Sequence, residues 1–120
     1  MQYKIIKKEE NNLIGENKLK LLKTEFEITS ASVDNLVFDT DNDSLRRLDI
    51  LKYSTEDIYF KDHNNDTVII SPSNISNYID KLKIKLSNRY TKINTLYNNI
   101  KINGTFTLKQ AQSAFESLDI

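Results

Sequence analysis

The spacing of apolar residues along this chain changes near residue 71. Before that point, short apolar runs alternate with polar positions, and a period of two is typical of a half-buried β-strand. After it, apolar residues recur every three or four positions, as on one face of an α-helix. This helical series consists of Ile75, Ile79, Leu82, Leu86, Ile93, Leu96 and Ile100. The stretch Thr67–Arg89 contains the change, and the predicted architecture is organised around it.

The N-terminal half of the chain is predicted to consist of strands. Tyr3–Ile6 is typical of a short edge strand or a frayed arm. Leu19–Ile28 alternates apolar and polar residues, and Val33–Phe38 is a second β-type run. Leu45–Tyr53 also alternates, and we favour a strand there, although Asp43 is able to cap a single helical turn.

A β-hairpin is predicted immediately before the change of period. Ile58–Asp62 and Thr67–Ile70 are rich in β-forming residues, and polar residues 63–66 join them. Upstream, Asp39–Asp43 has turn-forming residues at nearly every position and is predicted to be an acidic hairpin turn.

The C-terminal half is predicted to be helical. Asn74 or Ser71 is a suitable N-cap, and Pro72 suits a first helical turn. We expect a break near Ser87-Asn88 that gives two helices, with one long helix over residues 74–100 as the alternative.

Residues 100–107 have two interpretations. Asn103-Gly104 is a strong turn dipeptide, and the residues around it could form a β-hairpin with a type I′ turn. Thr107, however, lies three residues before Gln110 in a capping-box pattern, which favours a short final helix. An apolar stripe supports the helical interpretation and consists of Leu108, Ala111, Ala114, Phe115 and Leu118.

The composition is that of an ordinary globular protein. The chain has 120 residues, of which 38% are hydrophobic and 28% charged, so it is long enough for one domain with a core. It has no cysteine, no secretion signal and no apolar run of membrane-spanning length, so we expect a cytoplasmic protein. Fourteen lysines against three arginines indicate an AT-rich genome, such as that of a low-GC bacterium, its phage or its plasmid.

The net charge of zero is unevenly distributed. Residues 1–73 carry −4 and residues 74–120 carry +4. At helical spacing, Lys81, Lys85, Arg89 and Lys92 form one basic stripe. Such a stripe can bind the phosphates of nucleic acid or of lipid headgroups, or it can simply be a solvated helix face.

The sequence argues against the common kinds of chemistry. Asp39, Asp41 and Asp43 have the spacing of the first calcium ligands of an EF-hand, but Ile50 stands where the bidentate glutamate belongs. His63 is the only histidine, so we predict a solvated turn residue and no zinc site. We expect no catalytic residue, cofactor or metal, and no enzyme.

One segment resembles a known family. Val68–Asn74, followed by Tyr78, Ile79 and Leu82, is similar to the last strand and helix of the bacterial pleckstrin-homology-like (PH-like) family, where a β run ends in Ser-Pro before a capped helix. Asp57–Phe60 would be the preceding strand, so the resemblance covers residues 57–82.

The tail carries a second resemblance. Gly104–Thr107, with Gln110, Ala111 and Leu118, is similar to a short helical-hairpin module appended to such domains, although the module usually has Glu and Phe at positions 110 and 111. Together the resemblances imply an α+β fold: an antiparallel PH-like barrel or meander, capped by an amphipathic helix and followed by a short helical tail. The implied domain spans residues 1–89, with its helix from about residue 74, and residues 90–120 form a helical appendage.

Three functions follow as hypotheses. PH-like domains in bacteria are generally non-enzymatic, so the first is a binding or scaffolding module that contacts another protein. Aromatic anchors for such contacts are available at Tyr3, Tyr53, Tyr59, Tyr78, Tyr90 and Tyr97. The alternatives use the basic stripe: a small nucleic-acid-binding regulator of a phage or plasmid, or weak peripheral binding to anionic membranes. The near-heptad spacing of residues 75–100 is also compatible with a homodimer.

Overall fold

The structure, a computed structural model, describes residues 13–120. Its elements in chain order are α1 (Glu16–Glu27), β1 (Ala31–Val33), β2 (Leu36–Phe38), α2 (Asn42–Leu51), β3 (Ile58–Lys61), β4 (Thr67–Ile70), α3 (Pro72–Asn103) and α4 (Leu108–Glu116). The strands form two antiparallel sheets of two strands each, so the described chain is α+β. The predicted edge strand at Tyr3–Ile6 lies outside the described residues.

The chain divides into two compact units. The central unit is Ile28–Asn88, which holds both hairpins, α2 and the first part of α3. Among the described residues, the terminal unit combines residues 13–27 with Arg89–Ile120. The predicted division into residues 1–89 and 90–120 stays a prediction.

The hairpin of β1 and β2 replaces the single strand predicted over Val33–Phe38. Asp34 and Asn35 have φ angles of 48° and 72°, so the chain reverses direction in a two-residue turn. Val33 pairs with Leu36 and Ala31 with Phe38. Asp and Asn are the non-glycine residues that best tolerate this left-handed conformation, which explains why the run breaks there.

The strand predicted over Leu45–Tyr53 is wrong, because residues 45–51 belong to α2 and residues 52 and 53 form the turn that follows it. Leu48 is buried, and Leu45 and Leu51 are half-buried, so the apolar residues recur every three positions on one helix face. Alternation of apolar residues over a few positions cannot distinguish a strand from a helix of this length.

The acidic hairpin turn predicted at Asp39–Asp43 is also wrong, because this segment starts α2. Asp41 is the N-cap, and its carboxylate accepts a hydrogen bond from the Ser44 backbone N–H at 3.3 Å. Asp43 lies in the first turn, where a negative charge favours the helix dipole.

The hairpin predicted before residue 71 is present. Ile58 pairs with Ile70 and Tyr59 with Ile69. The loop closes through Asp62, whose Oδ1 accepts the backbone N–H groups of Asn64 and Asp66, both at 2.9 Å.

The core of the central unit lies between the hairpins, α2 and the buried face of α3. Phe38 is its centre: its ring lies 5.4 Å from that of Phe60 and 6.0 Å from that of Tyr78. The other buried apolar side chains are Ala31, Val33, Leu36, Leu48, Ile58, Ile70, Ile75, Ile79, Leu82 and Leu86.

A single helix, α3, runs from Pro72 to Asn103, and the break expected near Ser87-Asn88 does not occur. The series of buried positions continues through this point, because Arg89 is buried at the helical position between Leu86 and Ile93. With no glycine or proline between residues 73 and 103, the helix ends only before Gly104, whose φ is +79°.

In the terminal unit, α1 replaces the strand predicted over residues 19–28, and that prediction is wrong. Leu19 and Leu22 are buried and Phe26 is half-buried, which is helical spacing. Ile28, which alternation would place with Leu22 and Phe26, is exposed. The rest of the buried cluster is Ile93, Tyr97, Phe106, Ala111 and Phe115.

The predicted final helix is confirmed as α4, with the Thr107–Gln110 capping box at its start. Its Phe115 ring stacks on Phe26 of α1 at 5.3 Å between centroids. The prediction of an antiparallel sheet is thus confirmed in part, because the described strands are antiparallel but form two separate pairs. Residues 13–120 form no closed barrel of the PH-like kind.

Candidate functional site

Two members of the predicted basic stripe lie in the central unit, and both have acceptors there. The Lys81 ammonium lies 2.6 Å from the Asp34 carboxylate in the β1–β2 turn. The Lys85 ammonium donates to the backbone carbonyl of Ser32 at 2.8 Å. The structure therefore uses both lysines to connect α3 to the first hairpin.

The other two members lie in the terminal unit. Arg89 is only 3% exposed, its Nη2 donates to the Ile120 carbonyl at 3.5 Å, and burial lowers the pKa of its guanidinium. The Lys92 ammonium donates to the Asp119 carbonyl at 2.7 Å. Carbonyl acceptors leave the positive charge in place, so the stripe retains charge, but its geometry serves intramolecular contacts.

His63 has a partner that its sequence position does not reveal. Its Nδ1 lies 2.5 Å from Asp39 Oδ1, and its backbone N–H donates to the Val37 carbonyl at 2.8 Å. Asp39 is 24 residues away in sequence, so no local signal identifies this pair. The ring, with about half of its surface exposed, ties the second hairpin to β2.

The aspartates of residues 39–43 serve separate purposes. Asp39 contacts His63, Asp41 caps α2 and Asp43 pairs with Arg46 at 3.4 Å. The hydrogen bond from Ser44 lowers the pKa of the Asp41 carboxyl. Within residues 13–120, no group of three or more His, Asp or Glu side chains is arranged to hold a metal ion.

A cavity of about 110 Å³ opens beside these residues. Its lining is Asp39, Ser44, Arg47, Leu48, Phe60 and Lys61. One carboxylate and two cations line it, so charges of both signs are present. The Ser44 hydroxyl donates to Asp41 at 2.5 Å, and the His63 imidazole contacts Asp39. Ser44 and His63 are therefore not paired with each other as a nucleophile and its base.

The outer face of the second hairpin presents a pair of large apolar side chains. Tyr59 is 76% exposed and its cross-strand partner Ile69 is 62% exposed. The solvent-facing side of an antiparallel sheet is normally polar, so an exposed aromatic–aliphatic pair is unusual there. We call Tyr59 and Ile69 the hairpin face.

The hairpin face is also held in a defined geometry. The Asp62 N–H donates to the Asp66 carbonyl at 3.0 Å, so alternation along the ladder makes Tyr59–Ile69 a non-hydrogen-bonded pair. Side chains in such pairs approach most closely, and the two therefore form one continuous apolar surface. The tyrosine was among the anchors expected from sequence, whereas Ile69 was missed, although alternation requires one of Val68, Ile69 and Ile70 to face away from the other two.

None of the helices described in residues 13–120 combines the length and the apolar character that a bilayer span requires. Comparisons with protein-family models, with curated proteins and with solved structures found no match for this chain.

Proposed function

We propose that this chain is a non-catalytic binding module that contacts another protein through the hairpin face, in the cytoplasm of a low-GC bacterium or in the service of its mobile elements. The observation that carries this proposal is the exposure of Tyr59 and Ile69 as cross-strand partners. Tyrosine is enriched among the residues that dominate interface energetics. Covering a large apolar side chain contributes about 1.5–3 kcal/mol, so two adjacent ones are a useful anchor.

The contacts of the basic stripe favour a protein partner over nucleic acid. Binding to phosphates would compete with the Lys81–Asp34 ion pair and with the hydrogen bond from Lys85 to Ser32. Arg89 would have to leave a buried position. Nucleic acid and anionic membranes are therefore alternative outcomes of the test below.

The PH-like resemblance of residues 57–82 is part of the proposal. A hairpin followed directly by a long amphipathic helix, as in β3, β4 and α3, supports it. Since PH-like domains in bacteria are generally non-enzymatic, the resemblance agrees with a binding role.

The proposal is tested by affinity capture with matched variants. Purified wild-type protein, immobilised through a tag, is exposed to nuclease-treated lysate of a low-GC bacterium and compared with the double variant Tyr59→Ser/Ile69→Ser. The control is Ile50→Ser/Ile84→Ser, which removes two apolar side chains of the same unit that are each 64% exposed.

We expect one protein that the wild type and the control capture and the hairpin-face variant loses by at least about tenfold. Capture that is equal for all three proteins would exclude the hairpin face. In a parallel capture from lysate without nuclease, recovery of nucleic acid alone would instead favour the nucleic-acid alternative. Flotation of the protein with anionic but not with neutral vesicles would favour the membrane alternative.

A further inference from the structure

The outer edge of β4 carries backbone groups that no residue of the described chain pairs. Because Ile58–Ile70 and Phe60–Val68 are the hydrogen-bonded pairs of the hairpin, the N–H and C=O groups of Thr67 and Ile69 point away from β3. On the opposite flank, β3 ends at the charged Lys61, and the N–H of His63 two residues later already reaches the Val37 carbonyl of β2. The edge of β4 has no such backbone contact within the described chain.

The sequence of β4 lacks the usual protection of an edge strand. Natural edges carry lysine, proline or a bulge that prevents pairing with another chain. The four residues Thr67–Ile70 contain no charge, no proline and no bulge, and they are β-branched throughout. Such an edge is suited to accept a further strand.

We propose that two copies of this chain associate by antiparallel pairing of their β4 strands around a two-fold axis at Val68. In this register Thr67 of each copy lies opposite Ile69 of the other, so both exchange N–H···O=C bonds and every outward group of the two edges is paired. Val68 lies opposite its own counterpart as a non-hydrogen-bonded pair. Two β4 strands are self-complementary in this way, because the outward backbone N–H and C=O groups of each belong to residues 67 and 69.

The charges at the two ends of β4 agree with the antiparallel direction. The exposed Asp66 precedes the strand, and α3 begins at Pro72 just after it. Antiparallel pairing places Asp66 of one copy beside Ile70 of the other, close to the positive N-terminal end of that copy's 32-residue helix. A parallel arrangement would instead bring the two Asp66 carboxylates together.

The dimer would also join two copies of the hairpin face on one four-stranded sheet. Pairing uses the backbone of Ile69, whereas the hairpin face uses its side chain, so dimer formation is independent of the proposed protein partner. The two proposals can therefore fail separately: the chain can capture a partner while it is a monomer, and it can form the dimer while it captures no partner.

The register is tested by cysteine cross-linking, which is unambiguous because the chain contains no cysteine. In Val68→Cys, the two Cα atoms across the axis would be about 4.5 Å apart, within the range of about 4.4–6.8 Å that a disulfide requires. In the control Thr67→Cys, the two Cα atoms would be about 8–9 Å apart, beyond that range.

We expect the full chain with Val68→Cys to form disulfide dimers in a glutathione redox buffer at least about tenfold faster than Thr67→Cys. Equal rates, or no dimer with either variant, would overturn the proposal.

A second measurement tests the edge hydrogen bonds by sedimentation equilibrium over a range of concentrations. Thr67→Pro removes an outward N–H and leaves the β3–β4 bonds intact, whereas Thr67→Ala keeps that N–H. We expect Thr67→Pro to weaken dimer association about tenfold or more relative to Thr67→Ala. Association that is unchanged by Thr67→Pro, as for a dimer formed through α3, would contradict the proposal. Should circular dichroism show that Thr67→Pro is unfolded, the cross-linking rates decide.

Discussion

The Lys81 ammonium lies 2.6 Å from the Asp34 carboxylate, and this contact joins the long helix α3 to the two-residue turn of the first hairpin. Helical spacing alone assigns Lys81 to a surface stripe that is free to bind anions. The structure shows that an acidic turn 47 residues upstream meets it. Both side chains remain about half exposed, at 57% and 53%, so the pair positions the helix more than it stabilises the fold.

A double-mutant cycle measures this contact. Lys81→Met and Asp34→Asn each remove one charge, and Asn keeps the left-handed conformation of residue 34 accessible. We expect a coupling free energy below about 1 kcal/mol from urea unfolding, as for exposed ion pairs. The coupling should decrease in high salt, and one that does not respond to salt would show that the pair is not electrostatic.

The turn itself offers a sharper stability test. Asn35 has φ of 72°, so Asn35→Val places a β-branched residue in the left-handed region and should lower the free energy of unfolding by about 1–2 kcal/mol. Asn35→Gly is the matched control, since Asp-Gly is a preferred type I′ turn, and it should be neutral or stabilising by less than about 1 kcal/mol. Thermal unfolding of the three proteins compares them, and equal stability of all three would rule out this turn geometry.

The capping box of α4 gives a prediction for the terminal unit. The Gln110 N–H donates to the Thr107 hydroxyl at 3.1 Å, and the Thr107 N–H donates to Gln110 Oε1 at 2.9 Å. Thr107→Ala removes the side-chain acceptor and should cost about 1 kcal/mol in urea unfolding. Replacement of the nearby exposed Thr105 by alanine serves as the control and should change stability by less than about 0.5 kcal/mol.

The Glu16–Lys101 ion pair predicts a specific pH dependence. The hydrogen bond with Lys101, whose ammonium lies 2.8 Å away, lowers the pKa of Glu16 from 4.5, and the same contact raises the pKa of Lys101 from 10.5. A lowered carboxyl pKa stabilises the fold above 4.5 and loses that effect as pH falls through the folded-state value. A raised lysine pKa stabilises the fold below 10.5 and loses that effect as pH rises through its folded-state value.

Glu16→Gln should therefore reduce the melting temperature between about pH 5 and pH 10, and the difference from wild type should shrink in acid and in strong base. Melting curves across this range test the expectation. Glu116→Gln, which removes another exposed carboxylate of the same unit, should not show the same loss at both ends of the range. A difference that is constant from pH 3 to pH 11 would exclude the ion pair as its cause.

The sequence by itself determined the elements whose local signals agree with one another. The β3–β4 hairpin has two β-rich runs and a polar loop, and the start of α4 has both a cap and an apolar stripe. In α3, a sustained three-and-four spacing over many turns outweighs the short alternation at residues 82–86. In each case no second period of comparable length competes.

Only the tertiary structure decided the elements in which two periods coexist. Residues 19–28 alternate, yet helical spacing also places Leu19, Leu22 and Phe26 on one face. The helix is the structure formed, because these three side chains pack in the cluster that contains Phe115. Their many Leu, Lys and Glu residues were the available sign of a helix. In α2, too, apolar residues alternate over only a few positions. Its N-cap is Asp41, two residues before Asp43, which was the cap considered from the sequence.

The basic stripe and the hairpin face also combine features that the sequence predicts with features that depend on the tertiary structure. The presence of four cations at helical spacing was readable from sequence, because it depends only on the period of a helix. Their acceptors were not readable, because Asp34, Ser32 and the carbonyls of residues 119 and 120 are brought to them by long-range packing. The exposure of the hairpin face likewise depends on which side of a strand the core covers, and that choice is made only when the whole unit packs.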